Sequence, residues 1–149
     1  MSITSVCAAI ASVGAVCSEI GEAVDPPPPA INSDTLPLLY VRTGPADYER
    51  REGEERYIER RTYQVRVAVL AAAHASPSDR ETKCRTVLDD VKHTFMKYPQ
   101  LGLTTGVIRA DVVGDSGIIT LPDYSGLWDG FEVRLSVSEV RVRTYATGE

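Results

Sequence analysis

The chain has 149 residues, of which 43% are hydrophobic and 25% charged, values that suit one soluble globular domain and exclude wholesale disorder. A formal net charge of −5 removes the broad basic footprint that neutralising many nucleic-acid phosphates requires. The three cysteines lie in apolar contexts ("SVCAAI", "AVCSEI", "TKCRTV") and cannot all pair within one chain, so they read as small core residues in a reducing compartment, with no disulfide framework.

From Ile3 the larger apolar residues recur at Ile3, Val6, Ile10, Val13, Cys17, Ile20 and Val24, in alternating steps of three and four, which predicts one amphipathic helix over residues 1–24. Ser2 is placed to cap its start. The stretch has no basic leader and never reaches the roughly 20 apolar residues of a membrane span, so neither secretion nor insertion is expected. Asp25 and the "PPPP" run then end the helix and open a stiff linker over residues 25–35, expected to cross a sheet face without packing.

"TLPLLYVRTG" follows as a strand, with Pro37 near its start. Residues 44–56, "GPADYERREGEER", have no apolar period and mix both charge signs, which predicts a mobile hairpin loop of functional size. Arg50, Arg51, Glu54, Glu55 and Arg56 are its candidate contact residues. In "YIERRTYQVRVAVL" Tyr57, Tyr63, Val65, Val67 and Val69 alternate with Arg60, Thr62, Gln64 and Arg66, the period-two signature of a long strand packed on one side.

Ser76, Pro77 and Asp79 supply a cap, a first-turn proline and a first-turn acid for a second helix. Its apolar stripe runs through Cys84, Val87, Leu88, Val91, Phe95 and Tyr98 to the stop at Pro99. Strand patterns then return in "GVIRADVV", "IITL" and "FEVRLSVSEVRVRTY", with the loop "PDYSGLWDG" before the last. Within that loop Tyr124, Leu127 and Trp128 are candidate apolar anchors. In the last run Phe131, Val133, Leu135 and Val137 share one face and Val140 and Val142 the other, which predicts a bulge near Ser138 and Glu139 or a distal half packed on a partner.

"GDSG", from Gly114 to Gly117, and the upstream "VLAAAHA" ending near His74 echo the serine and histidine segments of chymotrypsin-like proteases. The echo fails on physical grounds. The stretch between His74 and Ser116 is taken up by one helix and one strand, with no material for a second barrel, and no aspartate is singled out to orient the histidine. GDSG is therefore expected to be a tight turn joining two antiparallel strands, with positive φ at Gly114 or Gly117 and little cost to Ser116→Ala. Neither His74 nor His93 has a partner at a metal-ligand spacing, so no catalytic residue, metal or cofactor is expected.

The expected fold is a single α+β domain over residues 1–149. It has a mostly antiparallel twisted sheet of about four to five strands flanked by two helices, in the order α-β-β-α-β-β-β. This layout resembles that of the tail terminator, or tail completion, proteins of long-tailed bacteriophages. The phrases that carry the resemblance are "SVCAAIASVGAVCSEI" with "DPPPPAI", "LPLLYVRTGPADYE" leading into "RRTYQVRVAVL", "SDRETKCRTVLDDVKHTFMKYPQL" and "YSGLWDGFEVRLSVSEV". They span nearly the whole chain. The resemblance implies a non-enzymatic structural virion protein, assembled in the host cytoplasm and located at the tail–neck junction. Its partners would be further copies in a hexameric ring, the tail tube protein and the neck connector or stopper, with DNA passing through the lumen unbound and no membrane involved. Neck, stopper and head–tail adaptor proteins, and other tail tube-associated proteins, are the alternative family reading.

Overall fold

The computed structural model describes residues 2–50, 55–102 and 106–142, with only the backbone at Arg50 and His74. Ser2 accepts the Ser5 amide and starts helix α1, Ile3–Gly14. The helix stops ten residues short of the expected boundary. Gly14 is a poor helix former, and beyond it the amides of Val16 and Cys17 bond only three residues back, to Val13 and Gly14. The apolar rhythm continues through these turns, with Cys17 still buried, but the chain then extends into a short strand β1, Glu22–Val24.

β1 pairs in parallel with β2, Leu38–Arg50, placing Glu22 beside Leu38 and Val24 beside Tyr40. The proline-rich segment between them does pack, contrary to expectation: Ile31 and Leu36 lie against a small cluster of Leu38, Tyr40, Ala68 and Leu121, and the Pro28 carbonyl accepts the Tyr124 hydroxyl. β2 pairs antiparallel with β3, Arg56–Ala71, from Leu38 opposite Ala68 to Arg50 opposite Tyr57. Residues 46–50 of the expected charged loop over residues 44–56 are thus paired ladder, resumed after a register shift between Thr43 and Ala46. Backbone hydrogen bonding does not depend on side-chain polarity, and cross-strand partners hold the polar residues: Arg60 donates to Glu49 at 2.9 Å, and the Tyr48 and Tyr57 rings meet at 5.8 Å.

The cap at Ser76, which accepts the Asp79 amide, and Pro77 start α2, Pro77–Lys97, as the sequence indicates. Cys84, Val87, Val91 and Phe95 form its buried stripe. The chain continues as β4, Val107–Asp115, β5, Ile119–Thr120, and β6, Trp128–Val142. The sheet is open and mixed, in the order β1-β2-β3-β6-β4, with β5 also on β6. Among the described residues the fold is one α+β domain with two α-helices and six strands. The added strand β1 and its parallel pairing are the departures from the expected order.

α1 and α2 pack against one face, where Val6, Ile10, Cys84, Val91 and Phe95 meet Leu39, Val41, Val65, Val67, Phe131, Val133 and Leu135 in the main core. The opposite face is covered at the β1 end by the proline segment and the loop after β5. Gly130 lies where the sheet is tightest. A Cβ there would come 1.8 Å from the Val67 carbonyl oxygen, so no side chain fits without moving the backbone.

GDSG does not join a pair of antiparallel strands. β4 and β5 both pair with β6, Asp115 opposite Val133 and Ile119 opposite Gly130, so the four residues interrupt one strand line. Ser116 spans the gap: its amide donates to the Glu132 carbonyl and its Oγ accepts the Glu132 amide, both at 2.9 Å. Asp115 accepts the Gly117 amide at 2.8 Å, and Gly117 takes a φ of 69°.

The expected bulge in the last strand is also relocated. β6 runs in unbroken register with β3 through Ser138 opposite Arg60 and Glu139 opposite Glu59. The extra residue is Ile108 on β4, between the partners of Glu139 and Ser138. What changes along β6 is chemistry: the helix-facing positions pass from Val137 to Glu139 and Arg141, while Val140 and Val142 point away from the helices.

Candidate interaction surfaces

The loop between β5 and β6 is built around Asp123. Its carboxylate accepts the Tyr40 hydroxyl at 2.7 Å, Arg42 Nη1 at 2.8 Å and Arg66 Nη1 at 2.6 Å. Arg66 also reaches Glu132 at 3.1 Å. Desolvation works to raise the Asp123 pKa, but the Tyr40 hydroxyl and the two guanidiniums outweigh it and hold the group below its ordinary value. Desolvation and this hydrogen bond push the Tyr40 phenol upward.

With the loop so fixed, Tyr124 packs edge-on against Tyr40 at 5.8 Å, and Trp128 packs against the small outer cluster. These two anchors therefore face their own sheet. Leu127, 61% exposed, is the loop residue left open to a partner. Its carbonyl accepts the Ala72 amide, and Asp129 binds Thr120 at 2.7 Å and Arg80 of α2 at 3.1 Å, tying the loop base to the second helix.

At the other end of the sheet lies the hairpin. Glu55 and Arg56 are exposed. Arg50 ends β2 opposite Tyr57, while Arg51 and Glu54 lie outside the described residues. On the helix side of this region the sheet carries a buried charge cluster. Glu59 receives Arg61 and Arg141, each at 2.7 Å, and Arg141 lies 3.5 Å from Glu139. Glu139 is 1% exposed, and its Oε2 and the Tyr63 hydroxyl are buried without hydrogen-bond partners among the described residues. Desolvation raises the Glu139 pKa despite Arg141. An open cleft of about 330 Å³ between Ile3 and Thr4 of α1 and Tyr48, Tyr57, Glu59, Arg61 and Arg141 borders the cluster.

Neither the Asp123 hub nor the buried Glu59 and Glu139 was singled out from sequence. The one signal for the latter was a carboxylate at an inward position of an alternating strand. Ser116 Oγ donates to the Gly117 carbonyl at 2.7 Å while accepting the Glu132 amide, and so is engaged in the backbone. His74 closes a single 3-10 turn, Ala72–His74. Cys7, Cys17 and Cys84 are buried free thiols whose pKa values burial raises, Cys84 to about 11, which favours the protonated thiol at neutral pH. Among the described residues no group of three or more His, Cys, Asp or Glu is placed to hold a metal, and no helix is long and apolar enough to cross a membrane. No protein-family model matches the chain, and no curated protein matches it significantly.

Proposed function

We propose that this chain is a structural protein of a long-tailed bacteriophage. In this reading it is a tail terminator whose copies form a ring, hexameric as in the family it resembles, on the end of the tail tube. The ring stops tube polymerisation, offers its other face to the neck connector or stopper, and leaves a channel for DNA. The observation that carries the reading is the one-sided sheet. Both helices lie on one face, and the long hairpin of β2 and β3 carries exposed charges at its tip, so strand faces and edges are left for neighbouring copies.

Charge is compatible with this role. Each copy has a formal charge of −5, so a ring carries a strong negative field, and a lumen of that sign lets DNA slide without adhering. The sequence run from Arg50 to Arg56, with Arg51, Glu54 and Glu55 in it, is a mixed-charge segment suited to fixing register against the next ring more than to raising affinity. Leu127 supplies an apolar contact at the opposite end. Native mass measurement and negative-stain microscopy of the purified protein, alone and with tail tubes, test the proposal. Closed rings with a central channel are expected. Monomers alone at micromolar concentration, with and without tubes, would count decisively against it.

A further inference from the structure

The hairpin end of the sheet has its amphipathy reversed. Elsewhere the helix side is mainly apolar, with Asp115 and Asp129 held by Lys92 and Arg80 of α2, but here it carries Glu59, Arg61, Glu139 and Arg141, and Val140 and Val142 stand on the side that no helix covers. Three chemistries lie side by side on that uncovered face. The β2 column is acidic, with exposed Asp47 and Glu49. The central columns are mixed: Ile58 of β3 stands opposite Val140 of β6, flanked by Arg60 opposite Ser138 and Arg56 opposite Val142, and Val140 and Val142 are 39% and 65% exposed. The β4 column is basic at Arg109, which lies opposite Ser138, next to exposed Ile108.

The rows are fixed by register: Asp47, Arg60, Ser138 and Arg109 form one, and Glu49, Ile58 and Val140 the next. Such a face is complementary to itself. A twofold axis parallel to the strands, lying above the line between β3 and β6, keeps each row in place and exchanges its two ends. Asp47 then meets Arg109 of a second copy, and Ile58 meets Val140, at the aligned packing that sheet faces favour. Among the described residues Asp47 has no ion pair of its own, and Arg109 has only exposed Asp111 at 2.6 Å, so both are available to an intermolecular pair.

We propose that this face is a twofold docking surface for a second copy of the chain, with Ile58, Val140 and Val142 as its apolar centre and Asp47 and Arg109 as its reciprocal charge pair. The contact is isologous and joins copies two by two, whereas ring contacts are head-to-tail, so it stands independently of the ring proposal. A twofold contact between ring-forming subunits would pair rings face to face.

Sedimentation velocity over a concentration series tests it, on the wild type, Val140→Asp, Val142→Asp, Asp47→Arg, Arg109→Asp and the double variant Asp47→Arg with Arg109→Asp. Wild type is expected to show concentration-dependent pairing. Either aspartate at the apolar centre should weaken pairing at least tenfold with far-UV circular dichroism unchanged, both positions being exposed. Each single charge reversal should weaken it severalfold, and the double variant should recover most of the loss, because the pair is re-formed with its signs exchanged. The proposal is overturned if wild type shows no pairing, if both Val140→Asp and Val142→Asp leave pairing unchanged, or if the double variant pairs no better than its weaker parent. Rings that persist while the twofold pairing is absent would sink this contact and leave the ring reading standing.

Discussion

Replacing Asp123 with Ala removes the acceptor that three side chains share on the outer face of the sheet. The largest loss comes from Tyr40. The residue is fully buried, and its hydroxyl, deprived of a partner, costs about 1–3 kcal/mol. Arg66 keeps Glu132, so its loss of one carboxylate adds about 1 kcal/mol at a site 17% exposed. Arg42, 45% exposed, adds little. The total is about 3 kcal/mol, and at about 3 °C per kcal/mol for a domain of this size the Tm falls by about 9 °C. Urea unfolding measures the change directly as a lower midpoint at constant m. Tyr40→Phe combined with Asp123→Ala should cost scarcely more than Asp123→Ala alone, giving a coupling of about 1–2 kcal/mol. A cost below about 0.5 kcal/mol for Asp123→Ala, or additive single effects, would refute the idea that this hub fixes the loop to the sheet.

Three further substitutions probe other parts of the fold. Ser116→Ala should cost about 1–2 kcal/mol in urea unfolding, because the Glu132 amide loses its acceptor; an unchanged midpoint would mean that GDSG acts as an ordinary turn. Glu139→Gln should raise stability at neutral pH. The folded-state pKa of Glu139 is raised, so its favourable contribution exists below the unfolded value near 4.3 and is lost as pH rises through the folded value. The gap between variant and wild type should therefore narrow in acid, and a gap that widens there would contradict the assignment. Gly130→Ala should prevent native folding or cost more than about 4 kcal/mol, since the new methyl meets the Val67 carbonyl; soluble protein with a native-like Tm would show that the strand pairing at Gly130 is wrong.

The parts of the fold legible in the sequence are those whose signals are local. The start of α2 followed from Ser76, Pro77 and Asp79, and the inward face of β3 from the alternation of Tyr63, Val65 and Val67. α1 was overrun because its three-and-four rhythm outlasts the helix: Cys17 stays in the core after the helical hydrogen bonds end, while Val24 joins the separate outer cluster. The charged hairpin was hidden because its strands are held by a backbone ladder and cross-strand pairs, which hydropathy does not register. GDSG was misread because both its flanks share the distant partner β6. The Asp123 hub had no local signal at all, since its three donors lie 57 to 83 residues away in the chain. Of the candidate contact residues, the structure leaves Glu55, Arg56 and Leu127 exposed and turns Tyr124 and Trp128 inward.

Adding the purified protein to polymerising tail tubes and measuring tube length by electron microscopy tests the terminator reading most directly. The account predicts tubes that stop growing and carry a ring at one end, with capping lost in the folded, soluble variant that combines Arg51→Glu with Arg56→Glu. Tubes that lengthen at the same rate with and without the protein, and carry no ring, would contradict it.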